Sequence, residues 1–240
     1  MYSSLNEKIF SFLHRLIEKK YHLRKLSKII NKIAFYKQPI IFDVGGNEGE
    51  SIDFFLNLFD NPKIYSFEPE KKSYQKLLNK YGKNKAINLF NFAFGNKKGI
   101  LKLKLNIKSS TSTLSKINKK SRYFNLKSFI LNPAKNNIFT GEEKVNVRKI
   151  DDFFSQKKIK TIHILKIDTE GFEFNVIKGA KKSLKKTKVI IIEFQLNDMY
   201  LNYSPKKIDK FLKNNNFILA DSLKFPFMSY EDRIYIKKNN

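Results

Sequence analysis

The sequence contains no cysteine, and it contains no apolar run of the roughly 18–20 residues that a membrane-spanning helix requires. The lack of cysteine excludes disulfide bonds, thiolate zinc sites and cysteine nucleophiles together. Near the N-terminus, Glu7, Lys8 and His14 interrupt the apolar positions, a pattern that does not predict a signal peptide. We therefore expect a cytoplasmic protein.

Arginine is scarce. Lysine and arginine together number 48 against 22 acidic residues, a net charge of +26, yet only five of the 48 are arginines. Such a charge is typical of proteins that bind nucleic acid or anionic membranes. A protein that reads phosphates is expected to favour arginine, whose guanidinium binds them through two parallel hydrogen bonds. Lysine, asparagine and isoleucine share AT-rich codons, so we favour genome composition as the cause and expect no nucleic-acid partner.

The 240 residues suit one domain, residues 39–240, preceded by a helical extension, residues 1–38. Apolar residues recur at helical spacing over residues 4–37, with lysines and arginines on the other face. We predict that this helix packs on the edge of the domain, with His14 and His22 at the surface. Two alternatives stay open: peripheral contact with the inner face of the cell membrane, and contact between copies in a homo-oligomer.

From Pro39 onward, short apolar segments alternate with amphipathic ones. We predict strands at residues 40–44, 63–67, 86–90, 100–105, 162–167, 189–194, 217–220 and 233–237. We predict helices at residues 50–59, 71–81, 172–186 and 205–214. This alternation, with strands that are apolar almost throughout, is typical of an α/β fold with a doubly wound, mostly parallel sheet covered on both faces.

Residues 107–148 interrupt this alternation. A cluster of serines and threonines at residues 109–113 precedes a stretch that is rich in lysine and asparagine and has no clear periodicity. An irregular insertion of this length is usually a binding loop or a disordered segment. We predict a substrate loop.

A glycine-rich segment, DVGGNEGES at residues 43–51, leads from the first strand of the domain into a helix. Glycines in such a turn let the backbone approach a ligand closely and aim helix-terminal amides at it. The spacing is not the G-x-G-x-x-G of dinucleotide-binding loops, and Glu48 and Glu50 would repel a diphosphate. A ligand that carries an ammonium and a sulfonium would not be repelled. A plain tight turn is the alternative.

Glu68 ends the next strand, 19 residues after Gly49, and Pro69 stops that strand. In doubly wound folds, an acidic residue about 20 residues past the glycine loop accepts hydrogen bonds from a ribose diol. A solvated glutamate at a strand end is the alternative. The two motifs together predict a ligand that contains adenosine.

A third motif, LKIDTEGFE at residues 165–173, ends a buried strand and opens a helix. Capping of that helix would account for its carboxylates. Asp168, however, is expected at the carboxyl edge of the sheet, where doubly wound folds bind ligands. Lys166 and Asp168 are two residues apart and so share a strand face.

These motifs resemble those of the FkbM-type methyltransferase family over roughly residues 39–200. Besides DVGGNEGES, the segments that carry the resemblance are FEPE, NFAFGN, GILKL, VNVRKIDDFF, ILKIDTEGFEFNVIKGAKKSL and VIIIEF. The resemblance implies a class I, Rossmann-like methyltransferase fold, S-adenosylmethionine as methyl donor, and O-methylation of glycans or natural products. Family members more often carry alanine at the position of Gly46, and we expect no consequence from this difference.

The resemblance also implies roles for individual residues. The residues expected to hold the methionine part of the donor are Asp43, Gly45, Gly46, Asn47 and Gly49. Glu68 is expected at the ribose, and Asn91 to Ala93 at the adenine. Asp168, Glu170 and Glu193 are expected to face the acceptor as catalytic residues. We add Ser110, Ser112 and Lys166 as substrate-binding residues.

The expected reaction is the methylation of a hydroxyl, in a capsular or O-antigen polysaccharide intermediate or in a natural product. A hydroxyl must lose its proton to a base or be polarised by a metal. We favour Asp168 as base; a Mg²⁺ site at the three carboxylates is not favoured, and His163 is expected to be structural. The alternatives are an RNA ribose 2′-O-methyltransferase and a non-enzymatic basic adaptor on membranes or nucleic acid.

Overall fold

The computed structural model describes residues 21–34, 36–132, 137–225 and 229–238. The helices are α1 Leu23–Ile33, α2 Glu50–Leu58, α3 Lys71–Tyr81, α4 Arg122–Leu131, α5 Ile150–Gln156, α6 Glu173–Lys178 and α7 Pro205–Asn214. The strands are β1 Ile40–Val44, β2 Lys63–Phe67, β3 Ile87–Phe90, β4 Ala93–Phe94, β5 Gly99–Asn106, β6 Phe139–Arg148, β7 Ile162–Ile167, β8 Thr187–Gln195, β9 Phe217–Lys224 and β10 Tyr230–Lys237. Two 3-10 helices lie at Ser109–Thr111 and Ser183–Lys186.

Seven strands form the main sheet in the order β3-β2-β1-β7-β8-β10-β9. The first five are parallel, and β10 is antiparallel to both of its neighbours. The strand order reverses between β1 and β7, because β2 and β3 lie on one side of that pair and β8 on the other. In open α/β sheets such a reversal opens a crevice at the carboxyl ends of the strands. The predicted doubly wound, mostly parallel sheet is confirmed.

Apolar side chains cover both faces of this sheet, which is why its central strands are apolar almost throughout. On one face the ring centroid of Phe67 lies 4.4 Å from that of Phe94 and 5.0 Å from that of Phe153. On the other face Phe55 of α2 and Leu77 of α3 are fully buried. The two-sided core fixes the strand ends that carry the crevice.

The described part of the predicted N-terminal helix, α1, belongs to the second of these cores. Leu26 and Ile30 are buried against the sheet, as expected for a helix that packs on the domain. His22 was expected at the surface, but it is buried and its Nε2 lies 2.7 Å from Asp232 Oδ2. His14 and residues 4–20 lie outside the described residues. Within the described ranges, no helix is long and apolar enough to cross a membrane.

Residues 107–148, which we call the insertion, are more regular than expected. Their described parts contain a 3-10 helix, α4 and the ten-residue strand β6. β6 pairs with β5 and β4 in a second, three-stranded sheet. A separate apolar cluster, which includes Phe124 of α4 with Met199 and Tyr200, packs beneath α4. The prediction of an irregular segment was therefore wrong.

The predicted helix at residues 172–186 is shorter than expected. α6 ends at Lys178, and a 3-10 helix follows at Ser183–Lys186. A Cβ atom on Gly179 would lie 2.1 Å from the main-chain oxygen of Gly95, so the chain passes too close to the β4–β5 turn for a regular helix to continue with a larger residue. The sequence reasoning also missed α5, which directly precedes the loop to β7.

Candidate active site

A cavity of about 1580 Å³ lies at the carboxyl ends of the central strands. Its lining includes the glycine loop after β1, Glu68 after β2, Asp168 after β7 and Glu193 near the end of β8. Sites for one small ligand commonly measure about 300–1,000 Å³. The cavity therefore has room for two molecules, a donor and an acceptor.

Two glycines of the loop adopt backbone conformations that other residues avoid. Gly45 has a φ of 92° and Gly49 a φ of 95°, both in the left-handed region. A Cβ atom on Gly45 would lie 1.8 Å from the main-chain oxygen of Asp168, and one on Gly49 would lie 2.4 Å from the ring of Tyr81. Glycine at these positions lets the loop lie directly against the turn after β7. The first and third sequence motifs thus meet.

Gly46 is glycine for a different reason. A Cβ atom there would lie 2.1 Å from Ser66 Oγ. Ser66 Oγ donates to Asp43 Oδ2 and Ser51 Oγ donates to Asp43 Oδ1, both at 2.8 Å. Asp43 is fully buried and outside the cavity lining, so it supports the loop from beneath. An alanine at position 46 would displace the Ser66 hydroxyl from its present position.

Glu68 connects the glycine loop to the end of β2. Its Oε2 accepts a hydrogen bond from the Asn47 amide at 2.8 Å, and its Oε1 accepts one from the Glu70 amide at 2.7 Å. Burial raises the pKa of Glu68 to about 8, and the two backbone hydrogen bonds oppose this. Each carboxylate oxygen has a second lone pair, so both can also accept a ribose hydroxyl. Glu68 lines the cavity at the end of β2, and its ribose role stays a prediction.

The remaining residues predicted on this side differ in what they contact. The Asn47 side-chain oxygen accepts a hydrogen bond from Ser109 Oγ at 3.1 Å, which links the loop to the insertion. Asn91 Nδ2 donates to the main-chain oxygen of Glu68 at 2.9 Å and so braces the end of β2. Ala93 lines the cavity, whereas Asn91 does not. The predicted adenine contact of Asn91 would therefore be indirect.

Lys166 and Asp168 share a face at the end of β7, as predicted, with Lys166 Nζ 3.1 Å from Asp168 Oδ2. Burial alone would lower the pKa of Lys166, but the carboxylates of Asp168, Asp43 and Asp232 outweigh it and raise that pKa. Burial raises the pKa of Asp168, and the charge of Lys166 opposes this. A charged lysine therefore orients the Asp168 carboxyl and leaves its Oδ1 for another partner.

Glu170 lies in the turn between β7 and α6, with a φ of 51°. The Tyr200 hydroxyl donates to Glu170 Oε2 at 2.5 Å. The helix begins at Glu173, whose Oε1 accepts hydrogen bonds from the amides of Thr169 and Gly171 at 3.0 and 2.9 Å. Glu173 supports the turn from the protein interior, so helix capping does not account for Glu170, which lines the cavity.

Glu193 completes the group of carboxyls. Gln195 Nε2 donates to Glu193 Oε1 at 2.7 Å. Burial raises the pKa of Glu193 well above its usual range, and the negative charges of Asp168, Glu170 and Asp232 raise it further. Carboxyls that interact this strongly titrate as a group. The three predicted acceptor-facing residues thus form one carboxylate cluster in the cavity wall.

Ser110 and Ser112 of the insertion both line the cavity. Ser112 Oγ donates to Glu70 Oε2 at 3.0 Å, beside the Glu68 end of the cavity. Tyr123 of α4 lines the cavity near the carboxylate cluster; burial raises its pKa to about 12, and the charge of Glu170 adds to this. The insertion therefore touches both ends of the cavity, and the substrate-binding roles of its serines stay predictions.

The family model described as "Methyltransferase FkbM domain" matches residues 43–219, from the glycine loop into β9. The chain belongs to this family. The resemblance noted in the sequence is thus confirmed, and with it the class I methyltransferase fold. As an FkbM-family protein, the chain is an S-adenosylmethionine-dependent methyltransferase.

Curated and solved relatives of this FkbM-family chain are distant. It is 25% identical over 188 residues to the 2-O-methyltransferase NoeI of Sinorhizobium fredii, covering 75% of this chain and 73% of that protein. TrmK of M. capricolum, solved with S-adenosyl-homocysteine, is similar at 15% identity and a TM-score of 0.49, covering 92% of this chain and 69% of TrmK. The Streptococcus mutans methyltransferase SMU.1697c is similar at 10% identity and a TM-score of 0.49, covering 90% and 97% of the two chains.

The residues of the FkbM-family cavity fit an adenosyl sulfonium. The left-handed glycines bring the main chain into the cavity wall, and the Glu68 carboxylate faces the same space. When bound, S-adenosylmethionine supplies a methyl group on a positively charged sulfur. The carboxylate cluster lines the same cavity beside the loop and offers negative charge to that sulfur.

Two further predictions concern metals and histidine. Among the described residues, no group of three or more His, Cys, Asp or Glu side chains is arranged to hold a metal ion. His163 Nδ1 accepts a hydrogen bond from the Ile40 amide at 2.9 Å, and the His163 ring packs edge-on against Tyr36. Ile40 begins β1, so His163 lies at the amino ends of the strands, opposite the cavity, in agreement with a structural role.

Sequence reasoning missed several residues that build this FkbM-family site. Tyr200 and Gln195 each hold one member of the carboxylate cluster, and Ser66 and Tyr81 support the glycine loop. Ser66 lies two residues before Glu68 on β2 and so faces the same way, which is the one local signal that could have identified it. Tyr200 follows β8 in an irregular segment, and no periodicity marks it.

Proposed function

We propose that the chain transfers the methyl group of S-adenosylmethionine to a hydroxyl oxygen of a saccharide, in a capsular or O-antigen polysaccharide intermediate or in a glycosylated natural product. The observation that carries this proposal is the carboxylate cluster of Asp168, Glu170 and Glu193, which shares one cavity with the glycine loop and Glu68. Carboxylates can accept hydrogen bonds from several neighbouring hydroxyls at once, as a sugar ring presents them.

Asp168 is the proposed general base. Burial raises its pKa toward neutrality, where a base is most effective, while Lys166 holds Oδ2 and leaves Oδ1 for the acceptor hydroxyl. Asp168 Oδ1 would take the proton of the acceptor hydroxyl. S-adenosylmethionine, held by the glycine loop and Glu68, would supply the methyl group to the acceptor oxygen and leave as the neutral thioether. Glu170 and Glu193 hold neighbouring hydroxyls of the acceptor, so that positioning supplies much of the acceleration.

Oxygen as the acceptor atom has independent support. The similar Sinorhizobium fredii protein is named a 2-O-methyltransferase. This chain also has no cysteine, so a thiolate nucleophile of the kind that attacks cytosine C5 is excluded.

A ribose 2′-O-methyltransferase acting on RNA is the second candidate, and the net charge of +26 favours it. The carboxylate cluster argues against it, because three acidic side chains in the cavity wall repel the phosphates on either side of a ribose. A non-enzymatic adaptor would have no use for Glu68 and Asp168 in one cavity.

Calorimetry with S-adenosyl-homocysteine, NAD and a generic RNA tests the donor assignment. We expect S-adenosyl-homocysteine to bind at about micromolar Kd, NAD not to bind, and RNA to bind only at low salt. Glu68→Ala should weaken S-adenosyl-homocysteine binding at least about tenfold, because the ribose loses its partner. Asp60→Ala, at an exposed position between α2 and β2, is the matched control and should bind as the wild type does. Tight NAD binding would refute the methyltransferase donor site.

Transfer of a labelled methyl group to extracted polysaccharide, compared with transfer to total RNA, tests the acceptor. Label in alkali-stable, RNase-resistant glycan supports a saccharide acceptor. If RNase instead releases the label from the RNA fraction, the acceptor is a ribose of RNA and the saccharide proposal is refuted.

A further inference from the structure

Helix α4 presents a mixed surface to the cavity. Its side chains in the lining are Tyr123, Leu126, Lys127, Ile130 and Leu131, four largely apolar residues and one lysine. These positions recur every three or four residues, so they form one helical face. A lysine in the middle of such a face is unfavourable unless its charge has a role, because its ammonium loses hydration there and an apolar side chain would not.

Lys127 is half-buried, and within the described ranges it has no hydrogen bond or ion pair. Three other lysines of the cavity are paired with carboxylates. Lys166 lies 3.1 Å from Asp168, Lys80 lies 2.6 Å from Asp53, and Lys76 pairs with Glu48. A half-buried ammonium without an anion loses hydration that nothing replaces. No hydrogen bond or ion pair therefore fixes the Lys127 ammonium in the substrate-free protein, and its charge acts at longer range on Glu170.

Lys127 lies at the end of the cavity where the proposed function places the acceptor. Its charge lowers the pKa of Glu170, and so does the charge of Lys108 in the first turn of the insertion. The negative charges of Glu170 and Glu193 raise the pKa of Tyr123, which lies one turn earlier on α4. Both lysines therefore lie close enough to Glu170 for their positive charges to stabilise its carboxylate.

We infer that Lys127 is an anion-binding subsite of the acceptor pocket, so that the saccharide acceptor carries a phosphate or carboxylate next to the ring that is methylated. This inference rests on the proposed function and names the class of its substrate. The carboxylate cluster binds neutral hydroxyls and repels anions, whereas the insertion attracts them. An anionic saccharide can place its hydroxyls against the carboxylate cluster and its anionic group against Lys127 in one orientation only. That orientation presents a single hydroxyl to the base.

The test uses the full chain saturated with S-adenosyl-homocysteine and three probes: glucose, glucose 1-phosphate and glucuronate. We expect both charged probes to bind at least about tenfold more tightly than glucose at low salt, with the preference shrinking as salt screens the charges. Lys127→Gln should abolish the preference, and Lys127→Arg should retain it. Lys120→Gln, at an exposed position just before α4, is the matched control and should leave the preference unchanged.

The relative affinities identify the source of the charge. Tighter binding of glucose 1-phosphate indicates a phosphorylated acceptor, and tighter binding of glucuronate indicates a uronic acid. Wild-type protein that binds all three probes alike, or a Lys127→Gln variant that keeps the preference, would overturn the inference.

The donor measurement separates this inference from the function on which it rests. S-adenosyl-homocysteine should bind Lys127→Gln as it binds the wild type. A loss of that binding in the variant would reassign Lys127 to the carboxylate of the donor and overturn the inference alone. Failure of the wild type to bind S-adenosyl-homocysteine would overturn the proposed function and this inference with it.

Discussion

Gly46→Ala offers the sharpest test of how the glycine loop is supported. Gly46 is not among the residues with a left-handed φ, so alanine costs nothing in backbone conformation there. Its Cβ atom would instead lie 2.1 Å from Ser66 Oγ, less than the distance of any normal contact. The Ser66 hydroxyl must then rotate away, and Asp43 Oδ2 loses its hydrogen bond in a fully buried position.

The magnitude follows from that lost bond. A hydrogen bond to a charged group contributes about 1.5–3 kcal/mol, and an unsatisfied buried acceptor costs a similar amount. We therefore expect Gly46→Ala to lower the free energy of unfolding by about 2 kcal/mol. Ser66→Ala removes the same hydrogen bond and should cost about as much. The double variant has already lost the hydroxyl that the new methyl group would strike, so it should cost about 2 kcal/mol rather than the additive 4 kcal/mol.

Urea denaturation of the wild type, both single variants and the double variant measures this coupling. Calorimetry with S-adenosyl-homocysteine should show the double variant binding as Gly46→Ala does, because both lack the same hydrogen bond. Gly45→Ala is the control: its Cβ atom would meet the main-chain oxygen of Asp168 at 1.8 Å, so its cost should add to that of Ser66→Ala. Additive costs, within about 0.5 kcal/mol, would refute the contact between positions 46 and 66.

Three further predictions concern the carboxyls. Asp168→Asn should reduce turnover by about 10²–10⁴-fold with S-adenosyl-homocysteine affinity unchanged, and full activity would remove Asp168 as base. Tyr200→Phe should raise the pKa of Glu170, because the hydrogen bond that it removes lowers that pKa. The acidic limb of the kcat/KM profile should therefore move to higher pH, and an unmoved limb would contradict the prediction. Burial raises the pKa of Glu173 to about 8, so the folded state holds a proton that the unfolded state has released, and stability should fall from about pH 4.5 to pH 8. Glu173→Gln should flatten that fall in urea denaturation, and an equally steep fall would refute it.

The main sheet and the two ligand motifs could be predicted because their signals are local. The central strands are apolar almost throughout, and the distance from Gly49 to Glu68 is set by a single helix and strand. Asp168 directly follows β7, and its place at the crevice follows from the order of the strands in the sheet. These predictions needed no knowledge of distant contacts.

The insertion could not be predicted, and the reason is its exposure. In β6 only Val145 and Val147 are buried, and the other eight residues are half-buried or exposed. A ribbon that is mostly solvated lacks the alternating pattern by which strands are recognised. The end of α6 was missed for another reason, because the apolar spacing continues past Gly179, where the helix ends.

The small apolar cluster beneath α4 lies apart from the two cores that hold the main sheet. Tyr200 belongs to this cluster and donates to Glu170. Repacking around Phe124 or Met199 can therefore tilt the Glu170 carboxyl while β1, β2 and the glycine loop stay fixed. The packing that orients Glu170 is thus separate from the packing that shapes the glycine loop.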